Sequence, residues 1–169
     1  MQIAKGFLLQ GKRVLFVSAE EGAERARERG ERLGVLDDEL LVCTATKLCN
    51  VLKALNETKA DVLLLDSIQR IHDDKLASLA GSSQQIRHVC ERLLNEKNKK
   101  VTLFVVGHVT KDGKLAGPKV LEHLVDVVLH FALDEGDERL LSTRKNRFGP
   151  CCEASLLMTE AGFVARREY

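Results

Sequence analysis

The sequence predicts a doubly wound α/β protein, a mostly parallel sheet flanked by helices with an antiparallel extension at its C-terminal end. Three observations predict it. Short apolar runs alternate with helical stretches in the order β-α-β-α-β-α-β through residue 107. Those runs are continuous rather than alternating, as in strands covered on both faces. Beyond Pro118 the pattern changes to short runs joined by tight turns, the mark of antiparallel strands.

Residues 1–10 read as the end of an amphipathic helix, closed by Gly11 in a C-terminal cap. Residues 13–17 (RVLFV) are a buried strand. Ser18 to Glu21 has the spacing of a capping box, in which the Ser18 hydroxyl and the Glu21 carboxylate satisfy each other's backbone amides. The helix it opens ends near Gly34. Residues 39–43 (ELLVC) form a second strand, 47–58 a helix and 61–65 (DVLLL) a third strand. A polar loop covers 70–83, a helix 84–98 and a fourth strand 101–107 (VTLFVVG). Further strands are expected over 125–133, 139–145 and 153–158, the first two joined by the turn DEGD. No repeat, low-complexity tract or Pro/Gly linker divides the chain.

Its 169 residues suit one domain. With 44% hydrophobic and 30% charged residues a soluble core is expected and disorder is not. Lys plus Arg is 26 against 25 acidic residues, a net charge of +1, so nucleic-acid contact has to rest on local patches. No apolar run is long enough to span a bilayer, and no membrane partner is expected. The start lacks the small-residue cleavage site of a signal peptide. Five cysteines without a C-x-x-C pair argue against a zinc site or a disulfide framework. Cys151 and Cys152 are adjacent and have the option of a vicinal bridge, but reduced thiols in a cytosolic setting are the simpler reading. Aromatic residues make up 4%, with no Trp, which disfavours base-stacking platforms.

In such sheets chemistry gathers at the carboxyl ends of the strands. Those ends are Ser18–Glu21, Asp66–Gln69 and Gly107–Thr110. Asp66 is delivered there by VLLL, as nucleotide hydrolases deliver a carboxylate to Mg2+; the alternative is an Asp that caps the next turn. Glu20 is not needed by the capping box and is the better candidate to deprotonate a water than Glu21. His108 and Thr110 sit where a polar side chain can meet a terminal phosphate, or are ordinary loop residues. The segment 111–119 (KDGKLAGPK) has three lysines and two glycines, suited to an anion; a solvated loop is the plain alternative. Arg144 to Gly149 is dense in fixed positive charge and is either a phosphate contact or a basic turn. Gly6 to Lys12 has the G-x-x-x-x-G-K spacing of a phosphate loop. It is followed by Arg13 instead of Ser or Thr, and by a strand instead of a helix, so it is not read as one.

DSIQ at 66–69, GSSQQIR at 81–87, GHVTKDGKLAGPKVLEHLVD at 107–126 and KNRFG at 145–149 together resemble the ATPase core of the bacterial RadA (Sms) family, RecA-like proteins of DNA repair and recombination. The resemblance runs from the first helix to MTEAG at 158–162. It implies a DNA-dependent ATPase, described as a helicase that extends branches during recombination. It implies ATP and Mg2+ as cofactors, single-stranded or branched DNA and a RecA-type recombinase as partners, a homo-oligomeric ring and a cytoplasmic location. By the same resemblance Asp66 is the Walker B aspartate holding Mg2+ through water, Glu20 the catalytic carboxylate and His108 the γ-phosphate sensor. The loops 70–83 and 111–119, with Lys111, Lys114 and Lys119, are the DNA-facing loops. Lys145 and Arg147 reach the nucleotide of a neighbouring subunit in trans.

The family's zinc finger, phosphate-loop strand and Lon-like C-terminal domain have no counterpart in the chain. The expectation is therefore a single partial RecA-like ATPase domain over 1–169. It lacks the P-loop strand, binds no nucleotide and hydrolyses no ATP alone, and exposes apolar edges where the strand is missing. The alternatives are a non-catalytic DNA-binding or ring-interaction module, or the product of a truncated gene without function.

Overall fold

The computed structural model describes residues 1–35, 38–96, 100–108, 120–133 and 138–166. The chain runs through α1 (Gln2–Leu8), β1 (Val14–Ser18), α2 (Ala23–Arg32), β2 (Leu40–Cys43), α3 (Leu48–Thr58) and β3 (Val62–Asp66). A 3-10 turn (Ile68–Arg70), α4 (Ser83–Glu96), β4 (Thr102–Val105) and α5 (Val120–Leu124) follow. The last elements are β5 (Val127–Leu133), β6 (Glu138–Asn146), β7 (Glu153–Thr159) and β8 (Gly162–Ala165). They gather into two compact units, Met1–Leu121 and Glu122–Tyr169.

The first unit is built on a wholly parallel sheet in the order β2-β1-β3-β4. Every residue of β1 is buried, as are the first four of β3, which is why their apolar runs are continuous. Side chains alternate across the sheet. Val14, Phe16, Val62 and Leu64 form one core with Ala4 of α1 and with Leu33 and Val35. Phe7 closes that side, edge-on to Phe104 with ring centroids 5.6 Å apart. Leu15, Val17, Leu63 and Leu65 have the opposite parity and are also buried, as are Leu48, Val51, Leu52 and Leu55 of α3. Each such side chain contributes roughly 1.5–3 kcal/mol of burial.

Gly11 and Gly34 close α1 and α2 as predicted, at φ of 68° and 61°. The capping box at Ser18 does not form. Ser18 pairs with Asp66 as the last residue of β1, and the Ala19 amide continues the ladder by donating to the Asp66 carbonyl at 2.8 Å. The Ser18 hydroxyl donates to the Glu21 carbonyl at 2.9 Å, Glu21 pairs with Arg29, and α2 starts at Ala23 with Gly22 as its N-cap. Sheet pairing outcompeted the local cap.

The polar loop expected over 70–83 is organised by one buried residue. Gln85 of α4 donates from Nε2 to the carbonyls of Asp73, Leu76 and Ser78 at 3.0–3.1 Å, and its Oε1 accepts from the Asp73 amide at 3.0 Å. Asp73 is buried too, and its carboxylate takes the Lys75 amide, His88 Nε2 at 2.9 Å and Arg92 at 2.8 Å. The His88 bond, helped by the Lys75 amide and the Arg92 charge and opposed by burial, holds the Asp73 carboxyl below the usual range. Burial pushes the Cys90 thiol up to about 11, so it packs as an apolar group. All five cysteines are free.

The second unit is an antiparallel sheet in the order β5-β6-β7-β8, with a register shift between Val128 and Leu129. The antiparallel strands expected after Pro118 are therefore present, but they form a sheet of their own rather than prolonging the parallel one. The strand β8 was not anticipated. It follows a tight turn in which Gly162 has a φ of 107° and the Thr159 hydroxyl donates to the Gly162 carbonyl at 2.7 Å. The DEGD turn lies outside the described residues. Phe131 and Phe163 meet edge-to-face at 5.0 Å. Both β4 and β5 are sheet edges with apolar surface: Val106, just past β4, is 45% exposed and Leu133 of β5 is 65% exposed. Among the described residues no helix is long and apolar enough to cross a membrane.

Replacing Gln85 by Leu removes the donors of three loop carbonyls without opening a cavity; the expected loss is about 1–3 kcal/mol in urea unfolding. Asp73→Asn tests the linked charge. A depressed carboxyl stabilises the fold above its unfolded pKa of about 3.9, and that contribution disappears as pH falls through the folded value. The stability gap between wild type and Asp73→Asn is expected to be full at neutral pH and to close below about pH 4.

Candidate functional site

Three strand ends lie level at the carboxyl rim of the parallel sheet. Register pairing sets Ser18 beside Asp66, and Val17, Leu65 and Val105 in one row. Backbone bonds continue past the strands: the Ile68 amide donates to the Val106 carbonyl at 3.0 Å, and the Val106 amide to the Leu65 carbonyl at 2.9 Å. Ser67, directly after Asp66, is fully buried at this junction.

Two of the predicted residues meet there. Glu20 Oε1 accepts from the Ser67 hydroxyl at 2.5 Å and lies 3.0 Å from His108 Nε2. The Ser67 bond is the main reason the Glu20 carboxyl sits below its ordinary range; burial opposes it, and His108 and Arg70 add to it. Glu20 is therefore an anion at neutral pH. His108 is steadied from behind by Gln69, whose Nε2 donates to the His108 carbonyl at 3.3 Å. Asp66 is half-buried in the same corner, bonded in sequence to Ser67. Its charge acts on the Met1 amino group at the start of α1, a group whose pKa is lowered by burial and by Arg29 and raised by Asp66. The corner thus assembles two carboxylates, a buried hydroxyl and an imidazole from three separate stretches of chain, at 20, 66–67 and 108. Ser67 and Gln69 escaped the sequence reading. Their signal was the DSIQ string, of which only the Asp was weighed.

This donor set suits a hard cation that keeps most of its water. Mg2+ is commonly held by one or two carboxylates together with substrate phosphates. Asp66, half-buried at the end of β3, fits that mode. Among the described residues no group of three or more His, Cys, Asp or Glu side chains gathers into a cage of its own. A separate shallow cavity of about 410 Å3 opens beside the clamped loop, lined by residues that include His72, Asp74, Leu79 and Gln85. None of Glu20, Asp66 or His108 lines it.

The remaining candidates lie elsewhere. Thr110, Lys111, Lys114 and Lys119 are outside the described residues. Lys145 and Arg147 belong to the second unit, and both have partners within it. Lys145 Nζ donates to the carbonyls of Glu122 and Val125 at 2.6 Å, capping the end of α5. Arg147 pairs with Asp126 at 2.9 Å. Phe148 beside them is 80% exposed. Gly6 to Lys12 is the end of α1 and its closing turn, with the Lys12 amide on the Phe7 carbonyl at 3.1 Å, and not a phosphate loop.

No protein-family model matches the chain. Among curated proteins it is 39% identical to the DNA repair protein RadA of Campylobacter jejuni, over 99% of the chain and 38% of that protein. It is 43% identical to RadA of Aquifex aeolicus, over 90% of the chain and 35% of that protein. The chain thus spans little more than a third of the length of these relatives. Among solved structures it resembles a KaiC-like protein of Pyrococcus horikoshii OT3, with a TM-score of 0.74 and 20% identity over 98% of this chain and 80% of that one. It also resembles a DnaB-like replicative helicase, with a TM-score of 0.76 and 14% identity over 95% of this chain and 52% of that one. At these identities the structural likeness shows the fold alone, that of RecA-like ATPase domains.

Lys145→Met leaves two helix-end carbonyls without their charged donor. It is expected to lower the unfolding free energy by about 1–3 kcal/mol, read from denaturant melts. Arg147→Met, which removes only an exposed pair, is expected to change it by less than about 1 kcal/mol.

Proposed function

This chain is RadA-family sequence over nearly its whole length, and from that premise we propose that it carries the carboxylate half of the nucleotide site of a DNA-dependent ATPase of recombinational repair. The observation that supports this most is the convergence of Glu20, Ser67, Asp66 and His108 at one rim of a parallel sheet. In this reading Asp66 holds Mg2+ through water and Glu20 takes a proton from the attacking water. His108, hydrogen-bonded to Glu20, faces the terminal phosphate. Mg2+, when bound, neutralises charge on the phosphates.

The other half of such a site is a cradle of backbone amides with a lysine. The single G-x-x-x-x-G-K spacing in the sequence, Gly6 to Lys12, is a helix end and supplies none. The described chain is accordingly proposed not to turn over ATP by itself. The apolar edge of β4 suits one flank of a strand that brings the cradle. DNA, single-stranded or branched, is proposed to meet the loops 70–83 and 111–119 through Lys111, Lys114 and Lys119. A homo-oligomeric ring, a RecA-type recombinase partner and a cytoplasmic location belong to the same reading.

A second reading is favoured by the tip of KNRFG. Phe148 is 80% exposed next to Arg144 and Arg147, both exposed. An exposed aromatic among cations suits a macromolecular contact, so the chain in this reading joins a ring of complete subunits without binding nucleotide itself. Co-sedimentation with a full-length relative, lost on Phe148→Ala, tests it.

The first reading is tested by fusing the residues that precede the matched region of a RadA relative to Met1. The fused chain is expected to bind and hydrolyse ATP with Mg2+, and the chain alone to do neither. Glu20→Gln in the fusion is expected to lower turnover by about 100-fold or more while ATP stays bound. ATP turnover by the chain alone, abolished by Asp66→Asn, would overturn the proposal of an incomplete site.

A further inference from the structure

The two donors on Glu20 share one acceptor atom. Ser67 Oγ, at 2.5 Å, and His108 Nε2, at 3.0 Å, both reach Oε1. Their settings differ. Ser67 is fully buried, its backbone fixed between the Ala19 to Asp66 bond and the Ile68 to Val106 bond. The His108 to Glu20 contact is open to solvent, with side chains 55% and 38% exposed.

We propose that Ser67 is the positioning residue of this site: with His108 as a weaker second donor, it grips Oε1 of Glu20 and thereby presents Oε2 to water. The inference rests on the reading of Glu20 as the base and deepens it.

A carboxylate has two oxygens, and a base held by one of them offers the other in a fixed direction. In the step this serves, a water proton passes to Oε2 while the water oxygen bonds to the terminal phosphorus and the bond from that phosphorus to the ADP oxygen breaks. The Ser67 hydroxyl has its proton committed to Oε1, so it orients the base without competing for the transferred proton. Its bond favours the charged form, which keeps Glu20 unprotonated and ready at neutral pH. The hydroxyl also explains a residue choice. Asp66 is followed by a fully buried polar side chain at a place where an apolar one would otherwise suit the core. His108 is different in kind. Its hold on Glu20 is exposed and screened, so it is the donor that another ligand can displace.

The test needs no nucleotide, so its failure is separable from failure of the ATPase reading. The carboxyl carbon of Glu20 is titrated by NMR in the chain. In Ser67→Ala the Glu20 midpoint is expected to rise toward that of an ordinary glutamate. In Ser67→Thr, which keeps the hydroxyl, it stays low, and in His108→Ala it rises less than in Ser67→Ala. A folded Ser67→Ala with an unmoved Glu20 midpoint overturns the proposal. If Ser67→Ala does not fold, His108→Ala decides alone. A Glu20 that then titrates as an ordinary glutamate makes His108 the main donor and also overturns it. In the ATP-competent fusion, Ser67→Ala is expected to move the acid limb of the turnover profile to higher pH, because a more basic carboxylate is protonated earlier as pH falls. A structural defect lowers turnover without moving that limb.

Discussion

Everything at the candidate site depends on the parallel register of three strands. Ser18 stands beside Asp66, and Val17, Leu65 and Val105 lie in one row. A slip of one residue displaces a strand end by about 3.3 Å and sends every core side chain to the opposite face. At hydrogen-bond tolerance, such a slip separates Glu20 from Ser67. The ladder does not stop at the strand ends: the bonds from Ala19 to Asp66 and from Ile68 to Val106 carry it one step further. The backbone register sets these side chains side by side, and the Glu20 bridge follows from that geometry.

The register is itself held by packing. β1 and β3 are buried on both faces, so neither can shift without exposing apolar surface. On one face α1 is pinned through the Phe7 and Phe104 contact, and the Lys5 ammonium reaches the Leu33 carbonyl at the end of α2 at 3.1 Å. At the base of the sheet Arg13 ties strand starts together, with its guanidinium on Glu39 and its amide on Asp61. The amino ends of the strands are thus fastened by ion pairs and the carboxyl ends are left to the polar bridge. That division is usual where one rim of a sheet is structural and the other functional.

The parallel core was legible because its signal is long and redundant. Continuous apolar runs of four or five residues between helical stretches admit few other folds. Asp66, Glu20 and His108 were legible as strand-end residues, and the structure sets all three at the rim. The Ser18 cap was misread because the string that begins a helix in isolation here finishes a strand; Ser18 had a backbone partner in Asp66, forty-eight residues away, that a local rule cannot see. Ser67 and Gln85 were missed for the reverse reason. A serine in a strand-end string and a glutamine in a polar helix start look like surface residues. Only the fold reveals that each is buried with its hydrogen bonds met. The separate antiparallel sheet was half legible: strand content shows in the alternation of β5, whereas the partner of an edge strand does not.

The basic string KNRFG divides in two when its contacts are compared. Lys145 is half-buried and spends its ammonium on two helix-end carbonyls, so moving it strips donors from α5. Arg147 is exposed and, among the described residues, its side chain pairs with an exposed Asp126, an interaction worth about 1 kcal/mol or less. Release of Arg147 toward an anion on another surface therefore costs little, and the planar guanidinium is suited to phosphate oxygens. Arg144 and Phe148 are exposed on the same string. The two cations that resemblance treats alike are physically unequal. Lys145 builds the platform, and Arg147 is the one placed to leave it.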